Sequence, residues 1–169
     1  MDEDNGYFRI ATTRSRQWFR TERETDESYS NVYVLDEDLN QVGALEKLAP
    51  GEEIFSARFM QDRVYLVTFV QTDPLFVIDL SEPTNPQVLG ELKIPGFSNY
   101  LHPYDNNTLI GIGKDTELNE NDRVITKGVK LSLFDVSDVT KPREIDTEVL
   151  GGRGSDSIAL HDHKAFLFN

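Results

Sequence analysis

An internal repeat constrains the fold of this chain more than any other feature of its 169 residues. The segment Leu75–Ser81 reads Leu-Phe-Val-Ile-Asp-Leu-Ser, and Leu131–Ser137 reads Leu-Ser-Leu-Phe-Asp-Val-Ser 56 residues later. A shorter copy, Val32–Asp36, precedes the middle copy by 43 residues. Each copy is a run of aliphatic, β-branched and aromatic residues that ends in aspartate and continues into a polar segment. The pattern predicts a β-strand followed by a turn in all three places.

A second strand pattern recurs along the chain. Arg63–Thr68, Asn107–Ile112 and Lys164–Phe168 lie 44 and 57 residues apart, and Gly6–Ala11 lies 57 residues before Arg63. A base period of about 44 residues, lengthened by insertions in two units, is typical of four-stranded propeller blades. Helical periodicity is not sustained, and its best stretch, Arg16–Glu27, is polar on nearly every face. We therefore predict an all-β fold, a β-propeller fragment of about three four-stranded antiparallel blades plus an extra strand.

The repeat units divide one partial β-propeller domain that spans residues 1–169. We expect blade units at about 7–48, 54–94 and 98–150, and the start of a further unit at 155–169. The strands expected in the middle unit are 54–60, 63–70, 74–80 and 87–94. Those expected in the third unit are 98–104, 108–113, 129–136 and 143–150. Pro83 and Pro86 fall in the last connection of the middle unit, where a proline costs no ladder hydrogen bond.

The expected strand count has a consequence for assembly. Successive units with three, four, four and two strands amount to about three blades, below the four that propellers usually contain. We therefore expect the chain to be an excerpt of a longer propeller. An open arc of blades exposes strand edges, which favours pairing with another chain. Two such arcs related by a two-fold axis would close a six-bladed ring, so a homodimer is one expected assembly.

The charge balance and residue usage exclude several functions. The chain carries 17 Lys and Arg against 30 Asp and Glu, a net charge of −13, so binding to nucleic acid is not expected. The absence of cysteine excludes disulfides, a thiol nucleophile and a cysteine zinc site, and leaves the redox compartment open. No apolar run approaches the roughly 18 residues of a membrane-spanning helix. The acidic start Met1–Asn5 does not read as an export signal.

The repeat residues also resemble known propeller repeats. Leu75–Pro86 followed by Val88–Gly90 resembles the LVIVD-type repeat. Asp73–Asp79 together with Leu92–Tyr104 resembles a bacterial and archaeal family of secreted or membrane-anchored proteins, which carry a C-terminal β-propeller domain distantly related to WD-40 repeats. The resemblance extends over nearly the whole chain. It implies an extracellular or cell-surface location and a secreted or membrane-anchored parent protein, and it supplies no catalytic motif to transfer.

The three histidines of the chain are candidate ligand-binding residues. His102 lies in Tyr-Leu-His-Pro-Tyr and His161 at the matching end of the next expected first strand, near His163. Innermost strands line the central channel of a propeller, where ligands often bind. The structural alternative is a histidine that is hydrogen-bonded in a turn, and the spacing of a histidine metal site is missing.

An arginine-rich insertion is the strongest candidate for partner binding. The candidate residues within residues 12–30 are the basic and aromatic side chains Arg14, Arg16, Trp18, Phe19, Arg20 and Arg23. Arginine interleaved with aromatic residues can stack on sugars, bases or peptides, and long loops on rigid scaffolds often carry function. The structural alternative is that Trp18 and Phe19 pin a long hairpin onto its blade.

A second insertion, residues 114–125, carries alternating oxygen side chains that could hold Ca²⁺. An EF-hand loop that starts at Asp115 would need Gly at its sixth and Glu at its twelfth position, where this chain has Glu120 and Thr126. A solvated surface loop is the alternative that we prefer, and no cofactor is expected.

These observations favour a non-enzymatic extracellular or cell-surface interaction domain that presents loops to a protein or glycan partner. Two alternatives stay open. The first is a glycan- or peptide-processing propeller enzyme with acidic channel residues, in which two or more carboxylates with shifted pKa values would converge. The second is a calcium-stabilised structural module.

Overall fold

The computed structural model of the chain describes residues 1–15, 27–69 and 73–168. These residues form three four-stranded antiparallel sheets, each with its strands in sequence order. The strands of the first sheet are β1 (Asp2–Asp4), β2 (Tyr7–Arg14), β3 (Tyr29–Leu35) and β4 (Gln41–Leu48). The second sheet contains β5 (Glu53–Met60), β6 (Arg63–Phe69), β7 (Asp73–Asp79) and β8 (Gln87–Ile94). The third contains β9 (Phe97–Pro103), β10 (Thr108–Leu118), β11 (Val124–Asp135) and β12 (Arg143–Leu150). The predicted fold class, all-β with four-stranded antiparallel blades, is confirmed.

The first sheet has four strands, and the predicted count of three was wrong. The additional strand β1 pairs with β2 through Asp2 opposite Arg9. Its sequence, Asp-Glu-Asp, has none of the apolar alternation that marks a strand. The strand is fixed instead by charge, because the buried guanidinium of Arg9 binds the carboxylates of Asp2 and Asp4. Arg9 also donates to the backbone oxygen of Gln61 in the second sheet.

The segment that follows the third sheet does not form the predicted strands. Residues 155–168 contain two 3-10 turns, Ile158–Leu160 and His163–Ala165. Alternating residues alone do not make a strand, because its backbone groups also need a neighbouring strand to bond to. None of the described strands pairs with this segment. Its backbone bonds are local instead, with the side chains of Ser157 and Asp162 capping the two turns.

The insertion at 114–125 is a continuation of a hairpin and not the predicted loop. Strands β10 and β11 stay paired as far as Leu118 opposite Val124, with a register shift between Lys114 and Thr116. The turn at the tip is closed by Asn119, whose side-chain oxygen accepts from two backbone N–H groups further along the turn at 2.9 Å. Polar residues therefore extend a hairpin here, since exposed strands need no apolar alternation.

The aspartate that ends each repeat copy closes a turn. The side-chain oxygen of Asp79 accepts from the backbone N–H of Ser81 at 2.9 Å, and Asp135 accepts from Ser137 at 3.0 Å. Asp36 does the same in the first sheet, with the N–H of Asp38 at 3.0 Å. Such Asx turns mimic a backbone turn, which explains why aspartate follows the strand at all three places.

The register corrects the spacing of the second strands by one residue. Phe8, Val64 and Leu109 each lie opposite the residue that precedes the repeat aspartate. The spacings between equivalent residues are therefore 56 and 45, and not 57 and 44. A shift of one residue moves every side chain of a strand to the other face of its sheet. The structure and not the repeat length thus decides which face each residue lines.

The hydrophobic core lies between successive sheets. Val64 and Leu66 face the first sheet, while Tyr65 and Val67 on the same strand face the third. The second sheet is thus covered on both faces, which explains the continuous apolar runs of β6 and β7. The two clusters have the following buried members: Val32, Val34, Val64, Leu66, Phe76, Ile78 and Leu80 in the first, and Tyr65, Val67, Leu75, Val77, Leu101, Leu109, Phe134 and Val136 in the second.

A glycine in the last strand of one sheet accepts the backbone of the next sheet. Gly43 lies against the carbonyl oxygen of Pro83, and Gly90 lies against the carbonyl oxygen of Val139. A Cβ atom at either glycine would overlap that oxygen. In the third sheet, Asp146 stands at the position of these glycines. Asp146 pairs with Leu133, and Gly43 pairs with Val34, and both Leu133 and Val34 lie two residues before the repeat aspartate. We call a glycine that leaves room for a backbone carbonyl of the next sheet a glycine notch. The third sheet has no glycine notch at this position.

We predict that Gly90→Ala destabilises the chain by about 1–3 kcal/mol, the usual cost of overpacking. The added methyl group meets backbone atoms, so the second and third sheets must separate to make room. Urea unfolding followed by circular dichroism measures the effect. Gly152→Ala is the matched control, because a Cβ atom there meets nothing within 4 Å. Equal stability of the two variants would contradict the role of the glycine notch.

We also predict a pH dependence for the turn aspartate of the third sheet. Hydrogen bonds from Ser137, followed by Arg143, lower the pKa of Asp135 to about 2 from an ordinary value of 3.8. A depressed pKa stabilises the fold above the unfolded-state pKa, and this stability is lost as pH falls through the folded-state pKa. The stability lost in Asp135→Asn should therefore be constant near neutral pH and shrink from about pH 4 toward pH 2. A loss of equal size at all pH values in urea titrations would contradict this assignment.

Candidate functional site

The side of the third sheet that points away from the second sheet is incompletely covered. Leu131 and Leu133 on β11 are only half-buried. Val34 in the first sheet and Val77 in the second are equivalent to Leu133, and each is at most 1% exposed. We call this side of the third sheet, formed by Ile110, Ile112, Val129, Leu131 and Leu133, the open face. The open face exposes apolar side chains at positions that are buried in the other two sheets. It is therefore a candidate binding surface.

Two rows of paired residues cross the open face. One row runs from His102 through Ile110 and Leu133 to Asp146. The next row runs from Tyr100 through Ile112 and Leu131 to Glu148. Directly paired residues point to the same side of a sheet. The open face therefore changes from aromatic at β9, through apolar in the middle, to acidic at β12.

The segment after the third sheet packs on the open face in a cluster that includes Tyr100 of β9, Ile112 of β10, and Val129 and Leu131 of β11. Leu160 is buried against Ile112 and Val129, and Phe166 packs against the same group. Lys114 fixes the start of the segment, because its ammonium group binds the backbone oxygen of Ser155 and lies 3.3 Å from the carboxylate of Asp156. On β12, the side chains of Asp146, Glu148 and Leu150 stay exposed within the described residues.

An aromatic cluster forms where the segment meets β9. It consists of Tyr100, His102, Tyr104, Phe166 and Phe168. The ring of His102 lies 5.0 Å from that of Phe166 and 5.9 Å from that of Phe168, between ring centroids. Phe168 also makes an edge contact with Tyr104 at 5.4 Å. Tyr104 is 55% exposed and Phe168 is 45% exposed. We call these two accessible rings the rim of the aromatic cluster.

Burial in this cluster favours the neutral form of His102. The pKa of His102 is lowered from its ordinary value, first by desolvation and second by the positive charge of Arg58. Its Nδ1 atom lies 3.2 Å from the hydroxyl group of Tyr100, within hydrogen-bonding distance. A neutral imidazole held between aromatic rings offers an apolar face and one hydrogen bond to a ligand, with no charge.

The structure does not bring the other two histidines to His102. His161 ends the first 3-10 turn, and its Nε2 atom lies 3.1 Å from the carboxylate of Asp156. His163 is exposed and begins the second 3-10 turn. Because the predicted strand is absent, His161 does not occupy the place that His102 has on β9. A shared channel site of the three histidines therefore has no support from the geometry, and their individual binding roles stay predictions.

Of the six candidate residues in the arginine-rich insertion, only Arg14 belongs to the described part of the chain. The guanidinium of Arg14 lies over the ring of Tyr29 at 5.4 Å and donates to its hydroxyl oxygen at 3.1 Å. The remaining candidates, Arg16, Trp18, Phe19, Arg20 and Arg23, lie outside the described residues. Arg9, which adds to the basic count of the insertion in sequence, is buried and ion-paired.

The described carboxyl groups with a shifted pKa all serve structural contacts. Their pKa values are lowered by hydrogen bonds, from the backbone of Asn40 to Asp36, from Ser137 to Asp135, from Thr140 to Asp138 and from His161 to Asp156. A general acid would need a raised pKa. Among residues 1–15, 27–69 and 73–168, no group of three or more His, Asp and Glu side chains is arranged to hold a metal ion. Within the same residues no helix is long and apolar enough to cross a membrane.

Sequence reasoning missed the aromatic cluster although half of its signal was present. Tyr100, His102 and Tyr104 recur at every second position, which places them on one side of a strand. Phe166 and Phe168 show the same alternation, and it was interpreted as part of a second strand. The contact between the two groups spans about sixty residues of chain, and only the tertiary structure shows it.

Successive four-stranded antiparallel sheets that pack face to face define this chain as a segment of a β-propeller. The family model described as "Beta propeller domain" matches residues 1–169, so the chain belongs to that family. An uncharacterised protein of Methanocaldococcus jannaschii is 49% identical over the whole chain, which covers 25% of that protein. An uncharacterised protein of Archaeoglobus fulgidus is 44% identical over the whole chain, which covers 24% of that protein. The chain thus spans about a quarter of the length of these relatives, and no solved structure matches it.

We predict that Phe166→Ala raises the pKa of His102 toward its ordinary value. Removal of the ring that lies 5.0 Å from the imidazole lets water reach it and reduces the desolvation that lowers the pKa. A titration of the imidazole proton resonances by NMR measures this pKa. Leu167→Ala is the control, since Leu167 is 81% exposed and should leave the pKa of His102 unchanged. The same titration midpoint in Phe166→Ala and wild type would contradict this packing.

Proposed function

We propose that this propeller segment is a non-enzymatic interaction domain that binds another macromolecule through the rim of its aromatic cluster. The observation that supports the proposal is the contact between Tyr104 and Phe168, two rings that pack on each other while about half of each side chain stays exposed. Exposed aromatic rings on a rigid element are the common anchors of protein interfaces, since they bury a large area at little entropic cost.

The surroundings of the rim support a protein partner more than a glycan partner. Two further apolar side chains, Ile158 and Leu167, are 73% and 81% exposed in the same segment. They add exposed apolar side chains to the segment that contributes Phe168, which suits the apolar centre of a protein interface. A glycan would need polar side chains around the stacking rings. No observation on the described residues favours the alternative of a glycan- or peptide-processing enzyme.

We further propose that the domain works outside the cell or on its surface. The support is the resemblance of Asp73–Tyr104 to the secreted and membrane-anchored propeller family. Protease treatment of intact cells that naturally make the protein tests this location. Cleavage without cell lysis is expected, and protection until lysis would contradict it.

A display library of random short peptides and a glycan array test the binding function directly. We expect the wild-type chain to enrich peptides with aromatic or aliphatic residues. The double variant Tyr104→Ser, Phe168→Ser should bind the enriched peptides about tenfold more weakly or worse, as is usual for truncated aromatic hot spots. Both side chains are exposed at the rim, so the fold should persist.

Leu39→Ser is the matched control for this experiment, because Leu39 is 68% exposed on a turn of the first sheet. It should leave peptide binding unchanged. Glycan binding without peptide binding would replace the protein partner by a glycan. The interaction function itself would be wrong if the wild type enriched neither, or if the double variant bound as well as the wild type.

A further inference from the structure

A cavity of about 170 Å³ lies between the first and second sheets, at the end where their turns meet. The residues that the argument uses are Asp4, Arg9 and Val34 from the first sheet, and Asp62, Leu80 and Ser81 from the second. The two sheets cover each other here through a shared apolar cluster, so the cavity is separate from the open face of the third sheet. Sites for drug-sized ligands measure about 300–1,000 Å³, so this cavity suits a smaller molecule.

One wall of the cavity is a buried arginine with an unused hydrogen-bond donor. Arg9 is 4% exposed, and its two terminal nitrogens are bound by Asp2, by Asp4 and by the backbone oxygen of Gln61. Its Nε atom is enclosed and has no hydrogen-bond partner among the described residues. A buried donor without an acceptor is unfavourable. A group held in the cavity beside Arg9 can supply the missing acceptor.

Hydrogen-bond acceptors stand at the mouth of the cavity. The carboxylates of Asp4 and Asp62 line it with side chains that are 38% and 50% exposed. Asp4 uses its Oδ2 atom for Arg9 and for the side-chain amide of Asn5, and its Oδ1 atom has no partner among the described residues. In the same part of the chain the carboxylate of Asp62 meets only Arg63, at 3.7 Å. Both carboxylates can therefore accept hydrogen bonds from a ligand.

The charges around the cavity disfavour an ion as the ligand. A cation would approach the buried charge of Arg9, and an anion would meet Asp4 and Asp62. A neutral hydroxyl group fits both sides, because it donates one hydrogen bond and accepts others. The CH groups that carry several hydroxyls in a small molecule also suit the buried side chains of Val34 and Leu80, which form the apolar part of the lining.

We propose that this cavity binds a neutral sugar ring, either a free monosaccharide or one unit of a glycan. One hydroxyl oxygen of the ring accepts the hydrogen bond of the Arg9 Nε atom, and neighbouring hydroxyls donate to Asp4 and Asp62. The site goes beyond the proposed partner binding, which uses the rim of the aromatic cluster.

Saturation-transfer NMR with a panel of small molecules tests the proposal. The neutral probes are glucose, galactose, mannose, xylose and N-acetylglucosamine, and the charged probes are acetate and methylammonium. We expect at least one sugar to bind, and neither charged probe to bind at the same concentration. The methyl glycoside of the bound sugar distinguishes the two sources, since retained binding indicates a glycan unit and lost binding indicates a free monosaccharide.

Two variants locate the binding in the cavity. Ser81→Leu should weaken sugar binding at least tenfold, because Ser81 is an exposed lining residue and leucine fills the space. Ser137→Leu is the matched control, since Ser137 is the exposed residue at the same distance after the repeat aspartate of the third sheet. Asp62→Asn should weaken binding severalfold through loss of a charged acceptor. Asp122→Asn makes the same change on an exposed turn elsewhere and should have no effect.

The outcomes of this experiment and of the partner-binding experiment are independent. Tyr104→Ser with Phe168→Ser should bind the sugar as the wild type does, and Ser81→Leu should keep peptide binding. A wild type that binds none of the sugars, a preference for a charged probe, or equal sugar binding by Ser81→Leu and the wild type would each overturn the inference.

Discussion

Backbone contact between successive sheets is the constraint on which the arrangement of this chain depends. Gly43 and Gly90 each let the turn of the following sheet come within van der Waals distance of the strand backbone. That approach closes the two layers of Val, Leu, Ile and aromatic side chains between the sheets. Each contact needs a glycine in the last strand of one sheet and a turn of the next sheet that lies against it. The contact therefore repeats only where both the glycine and the turn are present. The third sheet has Asp146 in place of the glycine, so the repetition stops there within the described residues.

Apart from the cavity beside Arg9, the candidate binding surfaces of this chain lie on the open face of the third sheet. In the first two sheets the two central residues of the row that ends in glycine are buried, Arg9 and Val34 in the first sheet and Tyr65 and Val77 in the second. In the third sheet the same row runs from His102 to Asp146, and both of its ends are accessible. The 155–168 segment packs over the β9 end and creates the aromatic cluster, while the β12 end keeps its acidic margin. The open face of the third sheet therefore carries two chemically different surfaces, one aromatic and one acidic.

The accuracy of sequence reasoning differed between elements for physical reasons. Strands β6 to β8 were predicted closely, because both faces of the second sheet are buried and prolines mark the connection that follows β7. Strand β1 was missed, since its three acidic residues are placed by the buried charge of Arg9 and not by hydrophobic alternation. The segment 155–168 was misassigned because it has the alternation of a strand without a neighbouring strand. The alignment of the second strands was displaced by one residue, because similar residues recur along each strand and only the pairing with the third strand fixes the register.

The sequence by itself determined the class of fold, the number of repeated units and the turn chemistry of Asp36, Asp79 and Asp135. These features depend on local patterns, namely alternation, turn residues and repeat length, that are complete within a few residues of chain. The tertiary structure alone decided which side of each strand is buried, that His102 meets Phe166 and Phe168, and that Asp146 stands where a glycine notch would be. Those features depend on pairings between residues far apart in sequence, and a shift of one residue in the pairing reverses them.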